Sequence, residues 1–152
     1  MKKSVFRFIF ICLIGLIGKT IFAAESIESE SFELYPCGTI FSKSYEINSD
    51  YSEKKYSTRI VCLADGRFSY FSKEEERDLD DDEYQIKTTR ARGTWRLDPM
   101  NLKLDGEQTF ESVTYKFTFD EEGFCNKSIG KFLQNFTEKD LEGYKKEPYK
   151  SK

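Results

Sequence analysis

Four sets of residues in this chain carry types and spacings that could do chemistry. Arg90, Arg92 and Arg96 recur at even spacing in "RARGTWR", and guanidinium groups on one face of a strand would make an anion patch for phosphate or carboxylate. Asp78, Asp80 and Asp82 lie in "KEEERDLDDDE", where eight of the ten positions from Glu74 to Glu83 are acidic; their spacing is that of the first three ligands of a calcium loop. Cys37, Cys62 and Cys125 are thiols able to bridge or to attack. The only tryptophan, Trp95, could wall an aromatic ligand site together with Phe68, Tyr70, Tyr115 and Phe117.

Most of the catalytic repertoire is closed to this chain because it has no histidine. Ser-His-Asp and Cys-His nucleophiles, histidine-containing zinc sites and an imidazole proton shuttle are all removed. A carboxylate pair is what remains for hydrolysis, and no pair is singled out. The calcium-loop match fails on mechanism: Glu83 stands where a Gly must turn the loop, and Thr89 where a bidentate Glu must close it. A weak, opportunistic metal site at Asp78, Asp80 and Asp82 is left, within a like-charged run expected to be a solvated, mobile connection. The expectation is a protein that is not an enzyme and uses no cofactor.

The N-terminus reads as an address. "MKK" and Arg7 form a basic region, Phe8 to Gly18 is an uncharged apolar run, and "FAAES" offers small residues for cleavage. The 11 uncharged residues between Arg7 and Lys19 fall short of the roughly 20 that a membrane span needs. Residues 1–24 are therefore expected to be a signal peptide, the product exported to the periplasm or exterior, with no membrane span after cleavage. Those residues hold four of the 24 basic residues and none of the 27 acidic ones, so the formal charge goes from −3 to −7. Such a charge disfavours nucleic acid as a partner.

In an oxidising compartment three cysteines suggest one bridge and a spare thiol. Cys37 begins one predicted strand and Cys62 ends the next, so Cys37 with Cys62 is the expected disulfide, and Cys37 with Cys125 its rival. The spare cysteine leaves monomer and dimer both open.

Elements able to position these residues are strands. "CGTIFSKSYEI" and "YSTRIVCLA" flank the polar "NSDYSEKK". Asp65-Gly66 in "LADGRF" is a strong hairpin signal, because Gly supplies positive φ. In "TRARGTWRL", Thr89, Ala91, Gly93, Trp95 and Leu97 alternate with the arginines. "DPMN" turns the chain into "NLKLDG", with Leu102 and Leu104 inward. "VTYKFTF" alternates again, and "GFCNKSI" suits a further short strand. Thr137 and Asp140 have capping-box spacing, predicting a short helix from about Glu138, followed by a frayed Lys-rich end.

Sequential strands with one apolar face each predict an all-β antiparallel meander closing into a small barrel. "LADGRFSYFS", "RGTWRLD", "NLKLDG" and "YKFTF" together resemble the lipocalin-like barrels of exported bacterial proteins across residues 38 to about 120. In lipocalins the Gly-x-Trp element lies near the start of the barrel; here it lies in the middle. The expected organisation is an extension at 25–36, a β-barrel domain at 37–130 and a helix with tail at 131–152. The expected function is a binding protein for a small apolar or amphiphilic ligand beside Trp95. The alternative is a protein-interaction or structural module, such as an inhibitor or surface factor, with a filled barrel.

Overall fold

The computed structural model describes residues 33–79, 83–99, 101–116 and 124–150. The expected signal peptide and most of the 25–36 extension lie outside the described residues, as do Phe117, Asp80 and Asp82.

Seven strands form one antiparallel sheet: β1 (Gly38–Asn48), β2 (Ser52–Leu63), β3 (Arg67–Asp78), β4 (Glu83–Asp98), β5 (Asn101–Lys116), β6 (Phe124–Thr137) and β7 (Lys145–Pro148), with a four-residue helix α1 (Glu138–Leu141) before β7. Strands β1 to β6 follow one another as a meander, and β7 pairs on the free side of β1. The expected barrel is not formed: β6 and β7 are the two edges of the sheet and do not pair with each other.

The sheet is nevertheless strongly curled. Seven strands laid flat would separate β6 from β7 by about 29 Å. Residues 138–144 join them, and one helical turn plus three extended residues reach only about 16 Å. Aromatic contacts show the same curl: the Phe132 ring on β6 lies 5.8 Å from Phe68 and 4.8 Å from Tyr70 on β3, three strands away. A glycine pair permits it. Gly93 and Gly106 face each other across β4 and β5, in a row running Phe68, Gly93, Gly106, Phe132. A Cβ on Gly93 would run into the Asp105 carbonyl and come within 2.5 Å of the Gly106 Cα, so the backbones approach where the two rings meet overhead.

The core sits at one end of the sheet. Phe41, Ile60, Cys62, Phe68, Ala91, Leu102, Leu104 and Phe132 project from the concave face, and Leu141 of α1 closes over them. Thr39 is buried with them, its hydroxyl accepting the Tyr35 N–H at 2.8 Å. Helix α1 starts where the capping box predicts: Thr137 Oγ1 accepts the Asp140 N–H at 3.3 Å, and the Asp140 carboxylate accepts the Thr137 N–H at 2.8 Å. Thr137→Ala removes one half of the box and is expected to cost about 1 kcal/mol in urea unfolding.

Several strands run further than the sequence predicts. "NSDYSEKK" is mostly strand, reversing at Ser49–Tyr51, where the Ser49 Oγ accepts the Ser52 N–H at 3.0 Å. "NLKLDG" and the start of "VTYKFTF" are one strand, β5. The Lys-rich end is not frayed, because Lys145–Pro148 takes the free side of β1. The first part of the acidic run, Glu74–Asp78, extends β3 where the sequence predicts a connection, and residues 80–82 lie outside the described residues. Cross-strand lysines neutralise it, with Lys54 2.5 Å from Glu76 and Lys87 3.9 Å from Glu74. The Asp65-Gly66 hairpin forms as expected, with Gly66 at φ 84° and Leu63 accepting the Gly66 N–H at 3.1 Å.

Candidate interaction surface

The aromatic residues expected to wall a ligand site divide between the two faces. Phe68, Tyr70 and Trp95 all project from the concave side at the core end, in the register that alternation predicts. Their rings are engaged by protein: Phe68 and Tyr70 pack on Phe132, and the Trp95 Nε1–H donates to the Leu63 carbonyl at 2.8 Å. Trp95 also donates its backbone N–H to Gly66 at 2.8 Å, so the indole is fastened over the β2–β3 turn. At Gly93 it is the β5 backbone, the Asp105 carbonyl and the Gly106 Cα, that stands where a side chain would go. Tyr115 lies on the convex face, 6.4 Å from Tyr84, because Thr114, not Tyr115, shares the parity of Leu102 and Leu104. Burial and the Glu75 carboxylate push Tyr84 up to about 12.

Arg90, Arg92 and Arg96 share the convex face and are exposed, as their alternation predicts. Arg90 lies over the Phe71 ring at 5.6 Å and 3.4 Å from Glu111, which also meets Lys127 at 3.0 Å. Lys127 first, and then Arg90, hold the Glu111 carboxyl below its ordinary range. Arg90, Glu111 and Lys127 thus tie β4, β5 and β6 together on the outside. Asp78 stands at the end of β3, and among the described residues no three acidic, cysteine or histidine side chains gather to hold a metal.

The expected Cys37–Cys62 bridge is not formed, and all three described cysteines are free. Register explains why: Thr39 is opposite Cys62, whereas Cys37 sits in the preceding turn, with its thiol on the Gly38 carbonyl. Cys62 is buried, and burial pushes its thiol from the ordinary 9.0 up to about 12. Because the folded value is the higher one, the resulting stability is fully present below pH 9 and is lost as pH rises toward 12. Pulsed iodoacetamide at pH 8 is therefore expected to label exposed Cys37 and Cys125 in the native protein, and Cys62 only after unfolding, as read by mass spectrometry.

Among the described residues the long β6 edge is unengaged. "GFCNKSI" marks the beginning of a 14-residue strand that pairs with β5 on one side and, among the described residues, with no strand on the other. Residues 124–131 are all exposed, and Phe124, Ile129 and Leu133 are bare to 77, 76 and 58%. Lys127 and Lys131 stand on the same strand, which contains no acidic residue between Phe124 and Thr137. An open groove of about 360 Å³ adjoins it on the convex side, lined by Thr94, Arg96, Lys103, Asp105, Leu133 and Asn135. Sequence reasoning saw only a fragment of β6, because its concave-side positions change from Phe132 to Gly130, Ser128 and Asn126 and the apolar alternation fades.

No protein-family model, curated protein or solved structure matches the chain. The surface must therefore be read on its own chemistry.

An extended β-edge presents backbone N–H and C=O groups at the repeat of a further strand. The arrangement can bind an extended peptide by main-chain hydrogen bonds, with Ile129 and Leu133 offering apolar contact and Lys127 and Lys131 offering charge. Among the described residues no buried side-chain polar atom lacks a hydrogen-bond partner.

Proposed function

We propose that this protein is a non-enzymatic protein-interaction module of the periplasm or exterior, which adds an extended segment of a partner polypeptide to the free edge of β6. The observation that carries the reading is the 14-residue edge strand itself, with eight consecutive exposed residues and bare Phe124 and Ile129. Lysines on an edge discourage indiscriminate pairing. Lys131 also favours a partner strand bearing Asp or Glu, whereas Lys127 already shares its charge with Glu111 at 3.0 Å. The export half of the reading rests on the basic and apolar pattern of residues 1–24.

The other reading, a lipocalin-like carrier of a small apolar ligand, draws on the likeness of "RGTWRLD" and its neighbours to that family. It has less support, because Phe68, Tyr70 and Phe132 fill the space between themselves and the Trp95 indole is held by Leu63. Selection from a random decapeptide display library on the immobilised full chain distinguishes the two. The interaction reading expects acidic peptides with alternating apolar residues, and loss of their capture by Ile129→Asp and by the double change Lys127→Glu, Lys131→Glu. Absence of any selected peptide, or selection indifferent to these changes, would refute it.

A further inference from the structure

On the convex face of β7, β1, β2 and β3, a second groove carries a different chemistry. It has a volume of about 450 Å³, and its lining includes Ser42 and Ser44 of β1, Ser57 and Arg59 of β2, Phe71 of β3 and Lys145 of β7. The register explains how they meet. Lys145 pairs with Ser42, Ser42 with Arg59, and Arg59 with Phe71, so these four side chains form one row across the outside of the sheet. Ser44 and Ser57 form the next row beside them. The outermost cations of the first row, Lys145 and Arg59, are two strands apart, about 10 Å between backbones, and straddle Ser42.

The groove's two cations share one carboxylate at its rim, Glu147, which the Lys145 ammonium first and the Arg59 guanidinium after it hold below its ordinary range. No acidic residue lines it. Lys145 shares its charge with Glu147 at 2.5 Å, while Arg59 is exposed and, among the described residues, holds no ion pair within 4.0 Å. Arg90 lies over the Phe71 ring at 5.6 Å and fixes the far wall. A guanidinium with free donors beside an ammonium selects an oxyanion. Three hydroxyls select hydroxyl-bearing neighbours of that oxyanion, and the Phe71 ring offers an apolar platform for the C–H face of a ring.

We propose that this groove binds an anionic sugar, its phosphate or carboxylate held by Arg59 and Lys145, its hydroxyls by Ser42, Ser44 and Ser57, and its ring against Phe71. The site is separate from the β6 edge, and its occupancy does not depend on the partner strand. Its volume suits a single pyranose with one charged substituent, at the lower end of small-molecule sites.

Titration of the full chain, followed by amide chemical shifts, tests the site with four probes: glucose 6-phosphate, glucuronate, inorganic phosphate and neutral glucose. The expected result is saturable shifts on β1, β2, β3 and β7 for the two anionic sugars and none for glucose. Arg59→Ala is expected to weaken binding about tenfold, and Arg59→Lys by less. Phe71→Ser is expected to bring glucose 6-phosphate down to the level of inorganic phosphate while the spectrum remains that of the folded protein. Lys139→Ala, exposed on α1 and outside both grooves, is expected to leave binding unchanged. The proposal is overturned if neither anionic sugar gives saturable shifts, if glucose binds as well as glucuronate, or if folded Arg59→Ala binds like the wild type.

Discussion

Gly93→Ala is expected to destabilise the fold by about 3 kcal/mol, a large share of the roughly 5–15 kcal/mol that holds a domain of this size. The added methyl would meet backbone on the facing strand, the Asp105 carbonyl and the Gly106 Cα, and not the end of a side chain that could swing away. The strands must part, and parting them lifts Phe68 and Phe132 off each other. Gly106→Ala meets the mirrored obstacle, with the Arg92 carbonyl carbon 2.7 Å and the Gly93 Cα 2.8 Å from its new Cβ. The same separation of β4 from β5 relieves both clashes, so the double variant should cost less than the sum, with a coupling of about 1 kcal/mol or more. Urea unfolding of the three variants measures this. A Gly93→Ala midpoint indistinguishable from wild type would contradict the close approach.

Phe132→Ala carries the second large effect, about 3–5 kcal/mol. Phe132 is a buried side chain on an edge strand most of whose other residues are exposed. Its ring is the contact by which the edge strand reaches β3, through Phe68 and Tyr70. Removing it leaves a cavity where the curl closes and frees β6 to swing from the core. Phe132→Leu should recover part of the loss, because it restores apolar volume without the ring geometry. Urea midpoints with an unchanged denaturant slope are expected for Leu, and a changed slope for Ala, since loosening β6 alters the surface buried in the native state. An alanine variant within 1 kcal/mol of wild type would mean that β6 is held by its ladder alone.

Local signals in the sequence were reliable where a single residue type has a single physical use. Asp65-Gly66 made its turn, Thr137 and Asp140 capped their helix, and the alternation from Thr89 to Trp95 placed each side chain on the correct face. Strand lengths were harder to read. Outside the core both faces of the sheet are wet, and a solvated strand such as Lys73–Asp78 has the composition of a loop until its partners Lys54 and Lys87 are known. Closure was misjudged for a related reason: a meander with one apolar face predicts curling, but whether the last strand meets the first depends on long-range register. Here β7 takes the side of β1 that closure would have used.

Of the candidate site, the arginine stripe was legible and its neighbours were not. Phe71 and Arg59 reach the same convex surface from strands that the sequence does not bring together. Tyr115 shares its alternation with Phe117 and Phe119, but which face that alternation takes follows from the pairing of Leu102 and Leu104 at the other end of β5. The disulfide expectation rested on two cysteines at the same end of a hairpin. A two-residue offset in register is enough to separate their thiols.

The central claim is that β6 accepts a partner strand, and amide hydrogen exchange tests it most directly. The full chain would be compared with and without an acidic extended peptide selected from the display library. The account predicts new protection of amides within Phe124–Leu133, with the core-end amides of β2 and β3 unchanged. Protection that appears instead around Phe68, Tyr70 and Trp95, with the β6 amides exchanging as before, would contradict it and return the binding site to the concave face.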